Sequence, residues 1–155
     1  MIPVHRENSM PGARWSYAVA DDGLRIFVTP AQESAVKGME FYFIDLCGTR
    51  YPLYEMFEIS GGQISGLGNL YRAVTGKKRS SGVRADFRDG MYCFFWPLCG
   101  LPVADGDSAV RFSFAVISDH GMIPATGKIL SGRLMMGAIS PHDTVCLKLH
   151  GVSQK

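Results

Sequence analysis

This sequence predicts an all-β fold: one domain over residues 1–155, assembled from short strands. Two architectures suit it: a closed pseudo-threefold arrangement like a β-trefoil or prism, or a two-sheet antiparallel sandwich with one short helix near 69–75. Three observations lead there. Apolar and polar residues alternate with a period of two in short runs, glycine and Asp-Gly signals break those runs, and strand-like segments recur along the chain. An apolar fraction of 46% and a charged fraction of 19% describe a chain that folds around a core rather than a disordered tail.

The opening, residues 1–12, holds His5, Arg6, Glu7 and two prolines without an apolar run, and reads as a flexible arm rather than a secretory signal. Trp15 to Phe27 then reads as a hairpin: Leu24, Ile26 and Val28 alternate with Arg25 and Thr29 behind the turn dipeptide Asp22-Gly23. Further along, Val110, Phe112, Phe114 and Val116 form one face of another strand, with Arg111 and Ser113 on the other. Ile64, Leu67, Leu70, Tyr71 and Val74 break the pattern. Their spacings of three and four predict the short helix over 69–75, closed by Gly76 and by Lys77, Lys78 and Arg79 at its negative end.

The segment 38–48 aligns with 90–100 at a constant offset of 52, with six of eleven positions identical. Residues 143–151 end in Leu-His-Gly where those two end in Leu-Cys-Gly, and Arg14 to Val19 matches Arg111 to Val116. Residues 54–60 are a weaker copy of the second type. Three units, 13–48, 49–100 and 101–151, follow from these matches, and units that cannot bury their apolar faces alone must share a core.

Chemistry-bearing patterns are sparse. Ser118-Asp119-His120-Gly121 contains the letters of a hydrolytic triad, but neighbours on an extended chain point to opposite faces and cannot act in line. The four histidines and four cysteines show no metal-ligand spacing, so no metal or other cofactor is expected. Cys47, Cys93, Cys99 and Cys146 each sit in or beside an apolar run and read as reduced, buried thiols. Gly61 to Gly68 is glycine-rich but lacks the lysine of a phosphate loop, which leaves turns and bulges.

Six of the sixteen Lys and Arg residues fall between Arg72 and Arg88: Arg72, Lys77, Lys78, Arg79, Arg84 and Arg88. Lys77, Lys78 and Arg79 are expected on an exposed connection between strands. Arg84-Ala85-Asp86-Phe87-Arg88, with Ser118-Asp119-His120-Gly121 later, resembles the Arg-x-x-x-Arg and Asp-x-Ser-x-x-Gly pair of bacterial PilZ domains. That resemblance implies a cyclic-di-GMP receptor. Where the family pattern has an aspartate, this chain has Val116.

A net charge of +2 is too weak to imply nucleic acid, and the longest apolar stretch, Met91 to Leu98, is too short for a membrane helix. The chain is therefore expected in the cytoplasm. With no catalytic constellation, its leading reading is a non-enzymatic binding module that recognises a protein partner or a sugar-like ligand through loops on a β scaffold. Candidate contacts are Asp22, Asp119, His120, Lys77, Lys78, Arg79, Arg84 and Arg88. The alternatives are an enzyme assembled from distant residues such as Asp119, His120 and His142, and an anion or nucleotide receptor built on the basic 72–88 stretch.

Overall fold

The computed structural model describes residues 8–10, 12–20, 22–44, 53–66, 68–72, 78–97, 100, 109–119, 121–124 and 145–148. The strands are β1 (Asn8–Met10), β2 (Ala13–Ala20), β3 (Gly23–Pro30), β4 (Val36–Ile44), β5 (Leu53–Ser60), β6 (Gln63–Ser65) and β7 (Asn69–Arg72). They continue as β8 (Lys78–Ser80), β9 (Arg84–Arg88), β10 (Met91–Pro97), β11 (Ala109–Ser118), β12 (Gly121–Pro124) and β13 (Val145–Lys148). A 3-10 turn, Glu33–Ala35, leads from β3 into β4.

All pairings are antiparallel, in two sheets. Five strands run β1-β2-β3-β10-β9; eight belong to the second sheet, ordered β12-β11-β4-β5-β7-β8 with β13 beside β11 and β6 beside β5. Among the described residues neither sheet closes on itself. This is compatible with the sandwich alternative, and the threefold closure does not emerge.

The alternation read from sequence explains which faces meet. Leu24, Ile26 and Val28 on β3 are all fully buried, while the alternate residues Arg25, Phe27 and Thr29 are partly exposed. Across the gap, Phe41 packs on Phe94 and Trp96 with ring centroids 4.8 Å away in each case, and Phe57 packs on Phe94 at 4.9 Å. Trp15 meets Phe114 edge-on at 5.2 Å. Each such ring removed from water contributes roughly 1.5–3 kcal/mol, so this seam dominates the cohesion of the two sheets.

The expected hairpin forms, but Ala20 pairs with Gly23, so Gly23 already belongs to the ladder and only Asp22 of the Asp-Gly pair lies in the turn. The loop between β9 and β10 is a true Asp-Gly turn: Asp89 and Gly90 have φ of 54° and 78°, the left-handed pair that a tight hairpin needs. Within the arm expected over 1–12, Asn8–Met10 form β1 along β2, and Met10 is buried.

The helix expected over 69–75 is not formed where the chain is described. Asn69–Arg72 is strand β7, paired to β5 on one side and β8 on the other; residues 73–77 lie outside the described residues. Gly66 and Gly68, with φ of 89° and 110°, turn the chain away from helical geometry. A Cβ on Gly66 would stand 2.8 Å from the Met56 carbonyl oxygen, so the kink presses the chain against β5. Pairing along that edge satisfies backbone groups that a short glycine-bordered helix would leave open.

The recurrence between 38–48 and 90–100 does not carry over into equivalent faces. At the offset of 52, core residues Met39, Phe41 and Phe43 match Met91, Cys93 and Phe95, which point away from the core; Tyr92 and Phe94, which point inward, match Glu40 and Tyr42. A shift of one residue in a strand exchanges every side chain between faces. Gly38 lies inside β4 and Gly90 in a turn, and the two strands occupy different sheets. Three of the six identities, at 46–48, fall outside the described residues, and the described strands give the three-unit repeat no support.

Candidate functional site

Three of the residues singled out in the sequence, Asp22, Arg84 and Arg88, come together on the outer face of the five-stranded sheet. β10 runs between β3 and β9 with Phe95 opposite both Arg25 and Arg84, Cys93 opposite Phe27 and Asp86, and Met91 opposite Arg88. Both guanidinium groups lie over the Phe95 ring, Arg25 at 4.3 Å and Arg84 at 4.9 Å from its centroid. Asp22 accepts two hydrogen bonds from Arg25, at 3.1 and 3.0 Å. Those bonds hold the Asp22 carboxyl below its ordinary range. Arg88 pairs with Asp86 at 2.8 Å, both well exposed. Half-burial pushes the free thiol of Cys93 up, away from the reactive thiolate.

The other candidates lie apart. Lys78 and Arg79 belong to β8, an edge strand of the eight-stranded sheet, so the basic 72–88 stretch is divided between two sheets. An exposed connection was expected there; Lys78 and Arg79 instead join a ladder with Tyr71 and Leu70. Asp119 is exposed in the turn between β11 and β12, where the Ser118 hydroxyl donates to the Gly121 carbonyl at 3.4 Å. Lys77, His120 and His142 lie outside the described residues, as do Cys47 and Cys99. Among the described residues no three His, Cys, Asp or Glu side chains cluster as metal ligands, and no helix is long and apolar enough to cross a membrane.

A cleft of about 320 Å³ opens where the 3-10 turn, the β5–β6 turn and the β9–β10 hairpin converge. Its floor is apolar: Val36, Ile59 and Tyr92 are buried, and Phe87 packs on Tyr92 at a tilt of 37° with centroids 4.3 Å apart. Its rim is polar, with Glu33, Ser34, Lys37 and Ser60 exposed and Gly61 and Gly62 offering backbone. Burial, and after it the negative charge of Glu33, pushes the Tyr92 hydroxyl pKa up, so the phenol stays protonated and able to donate. Ile59, Ser60, Phe87 and Tyr92 fall within the sequence matches already noted, but no spacing links them to one another or to Glu33–Lys37. Three segments from two different sheets come together only where the sheets pack.

One perturbed carboxyl sits elsewhere. Glu55 on β5 points into the inter-sheet core with no exposed surface, where it accepts from Trp96 Nε1 at 2.9 Å, the Gly68 backbone N–H at 2.9 Å and Ser81 Oγ at 3.1 Å. Burial raises its pKa, and the donors oppose that shift. A perturbed carboxyl often marks an active site. Here it is sealed from solvent and its partners come from β10, the Gly66–Gly68 kink and the β8–β9 connection, so it ties the two sheets together. A second buried carboxyl, Glu40, accepts from the Tyr42 hydroxyl two residues along β4.

Compared with known proteins, the chain matches no protein-family model, no curated protein and no solved structure. The resemblance of Arg84 to Arg88 to a PilZ motif therefore has no support beyond those positions. In this fold Arg84 and Arg88 lie on a strand, β9, with Arg88 already paired to Asp86.

Proposed function

We propose that the chain is a non-enzymatic binding module that recognises a small sugar-like ligand in the cleft between the 3-10 turn and the β5–β6 and β9–β10 hairpins. The observation that carries the reading is the lining itself. An aromatic wall of Phe87 and Tyr92 faces a rim of hydroxyl, carboxylate, ammonium and backbone groups. A sugar ring presents the complement, an apolar C–H face bordered by hydroxyls, and the cleft lies at the lower end of the roughly 300–1,000 Å³ typical of ligand pockets. Glu33 is the one carboxylate in the lining, whereas glycoside hydrolysis usually requires two carboxyl groups on either side of the bond. That favours holding a sugar over cleaving it.

A glycan array followed by NMR titration with the saccharides it returns tests the reading. Resonances of Gly61, Gly62, Phe87 and Tyr92 should shift together, and Phe87→Ala should weaken binding by about tenfold or more, the equivalent of removing one stacking face. Saccharides that bind wild type and Phe87→Ala equally, or no saccharide binding at all, would sink it.

A further inference from the structure

The outer face of the five-stranded sheet has a charge count that points to a particular partner. Phe95 faces away from the core yet is only 8% exposed, because the guanidinium groups of Arg25 and Arg84 cover it. Arg25 spends its N–H groups on Asp22. Arg84 is exposed, and among the described residues no carboxylate lies within ion-pair distance of it. Two guanidinium groups and one carboxylate thus leave one positive charge on this patch, at a side chain already stacked in place. A stacked guanidinium has lost much of its rotamer freedom before any ligand arrives, and its N–H edge stays free to fork an oxyanion. Along β10 the same face continues as half-buried Cys93 and Met91, a large hydrophobic residue left 37% exposed. Arg88 and Asp86 beside them neutralise each other.

We propose that this face docks an acidic, partly apolar segment of a protein partner, with one carboxylate forked by Arg84 and an apolar side chain laid over Met91 and Cys93. A nucleic-acid strand fits less well for two reasons. Its repeated phosphates would meet the carboxylates of Asp22 and Asp86 after the single spare charge was used. Its bases would find Phe95 already covered, which leaves Phe27, opposite Cys93, as the one partly exposed ring among the described residues of this face, a single platform where a strand stacks on several.

The test is an NMR titration of the full chain with three probes: an acetylated peptide of alternating glutamate and leucine, the same peptide with lysine for glutamate, and an oligothymidylate. The glutamate peptide should shift resonances of β3, β9 and β10, weaken as salt is raised, and leave the cleft residues Gly61 and Gly62 unmoved; the lysine peptide should do nothing. Arg84→Glu should lower the affinity for the glutamate peptide by about tenfold or more, and Arg84→Gln by less, with unchanged spectral dispersion reporting an intact fold. Asp22→Ala frees Arg25 and should tighten binding a few-fold. No shift with the glutamate peptide, shifts elsewhere on the molecule, tighter binding of the oligothymidylate, or an affinity indifferent to Arg84→Glu or to Asp22→Ala would each overturn the proposal.

Discussion

Phe95 and Trp96 are consecutive on β10, and the pleat sends them to opposite sides of one sheet. Both are almost fully covered, at 8% and 0% exposure, by different means. Trp96 lies among Phe41, Phe43, Phe57 and Phe94 and donates its indole N–H to Glu55; Phe95 lies beneath two charged side chains that water still reaches. The two carboxylates nearby diverge accordingly. Glu55, sealed in the core, has its pKa raised by burial, whereas Asp22, in solvent, has its pKa lowered by hydrogen bonds from Arg25. Access to water, rather than the chemistry of the side chain, decides whether a carboxylate beside an aromatic ring is a strain on the fold or a cheap surface contact.

Substitutions should separate the two sides of β10 by size of effect. Trp96→Ala removes a ring from the centre of the seam, three ring contacts across the sheets and the hydrogen bond to Glu55, and should cost about 3–5 kcal/mol in urea unfolding. A loss under about 1 kcal/mol would mean that the seam is not where the stability resides. Glu55→Gln keeps the shape but turns an amide NH2 toward either the Trp96 or the Gly68 N–H, neither of which can accept, although the Ser81 hydroxyl can. One buried donor is left unsatisfied, so a loss of about 1–3 kcal/mol is expected.

The pH dependence carries opposite signs on the two sides. Because burial holds the folded Glu55 above the ordinary 4.5, its share of stability is fully present below that pH and is lost as pH rises through the folded pKa. Asp22 is depressed below the ordinary 3.8, so its share is present above that pH and is lost as pH falls through the folded pKa. Urea unfolding of wild type, Glu55→Gln and Asp22→Ala over a pH series resolves both. The gap between wild type and Glu55→Gln should narrow as pH rises from 4.5, and a gap that widens would show that the donors, not burial, govern this carboxyl.

The smallest effect is expected at Asp22 itself. Exposed ion pairs are worth about 0.2–1 kcal/mol and are screened by salt, so Asp22→Ala should destabilise by no more than that and by nothing measurable in 1 M salt. Destabilisation that persists at high salt would mean that Asp22 supports the β2–β3 turn rather than the Arg25 side chain.

How far these two surfaces were legible differs from segment to segment. On β3 the order Leu24, Arg25, Ile26, Phe27, Val28 alternates clearly enough to put Arg25 outside and its neighbours in the core, as found. On β10 the run from Met91 to Trp96 is apolar or aromatic at every position, so period-two reading has no phase to detect, and neither the covered Phe95 nor the buried Trp96 could be told from the other. Across the matched segments, residues 39–43 and 91–95 align while their side chains face opposite ways. Glu55 carried no signal at all, because a charged residue in an alternating strand reads as a solvent-facing one until its donors are in view.

By itself, then, the sequence determined that this chain is all-β, that β2 and β3 form a hairpin near Asp22, and that β3 buries Leu24, Ile26 and Val28. Those features depend on contacts between residues close in the chain and on strict alternation, which local physics enforces. Only the tertiary structure decided that two sheets meet over an aromatic seam, that 69–72 is a strand, that Glu55 bonds Trp96 forty-one residues away, and that Arg25 and Arg84 share one ring. Each of those pairs residues from strands distant in sequence, and their partners are chosen by sheet order and register, which no local pattern encodes.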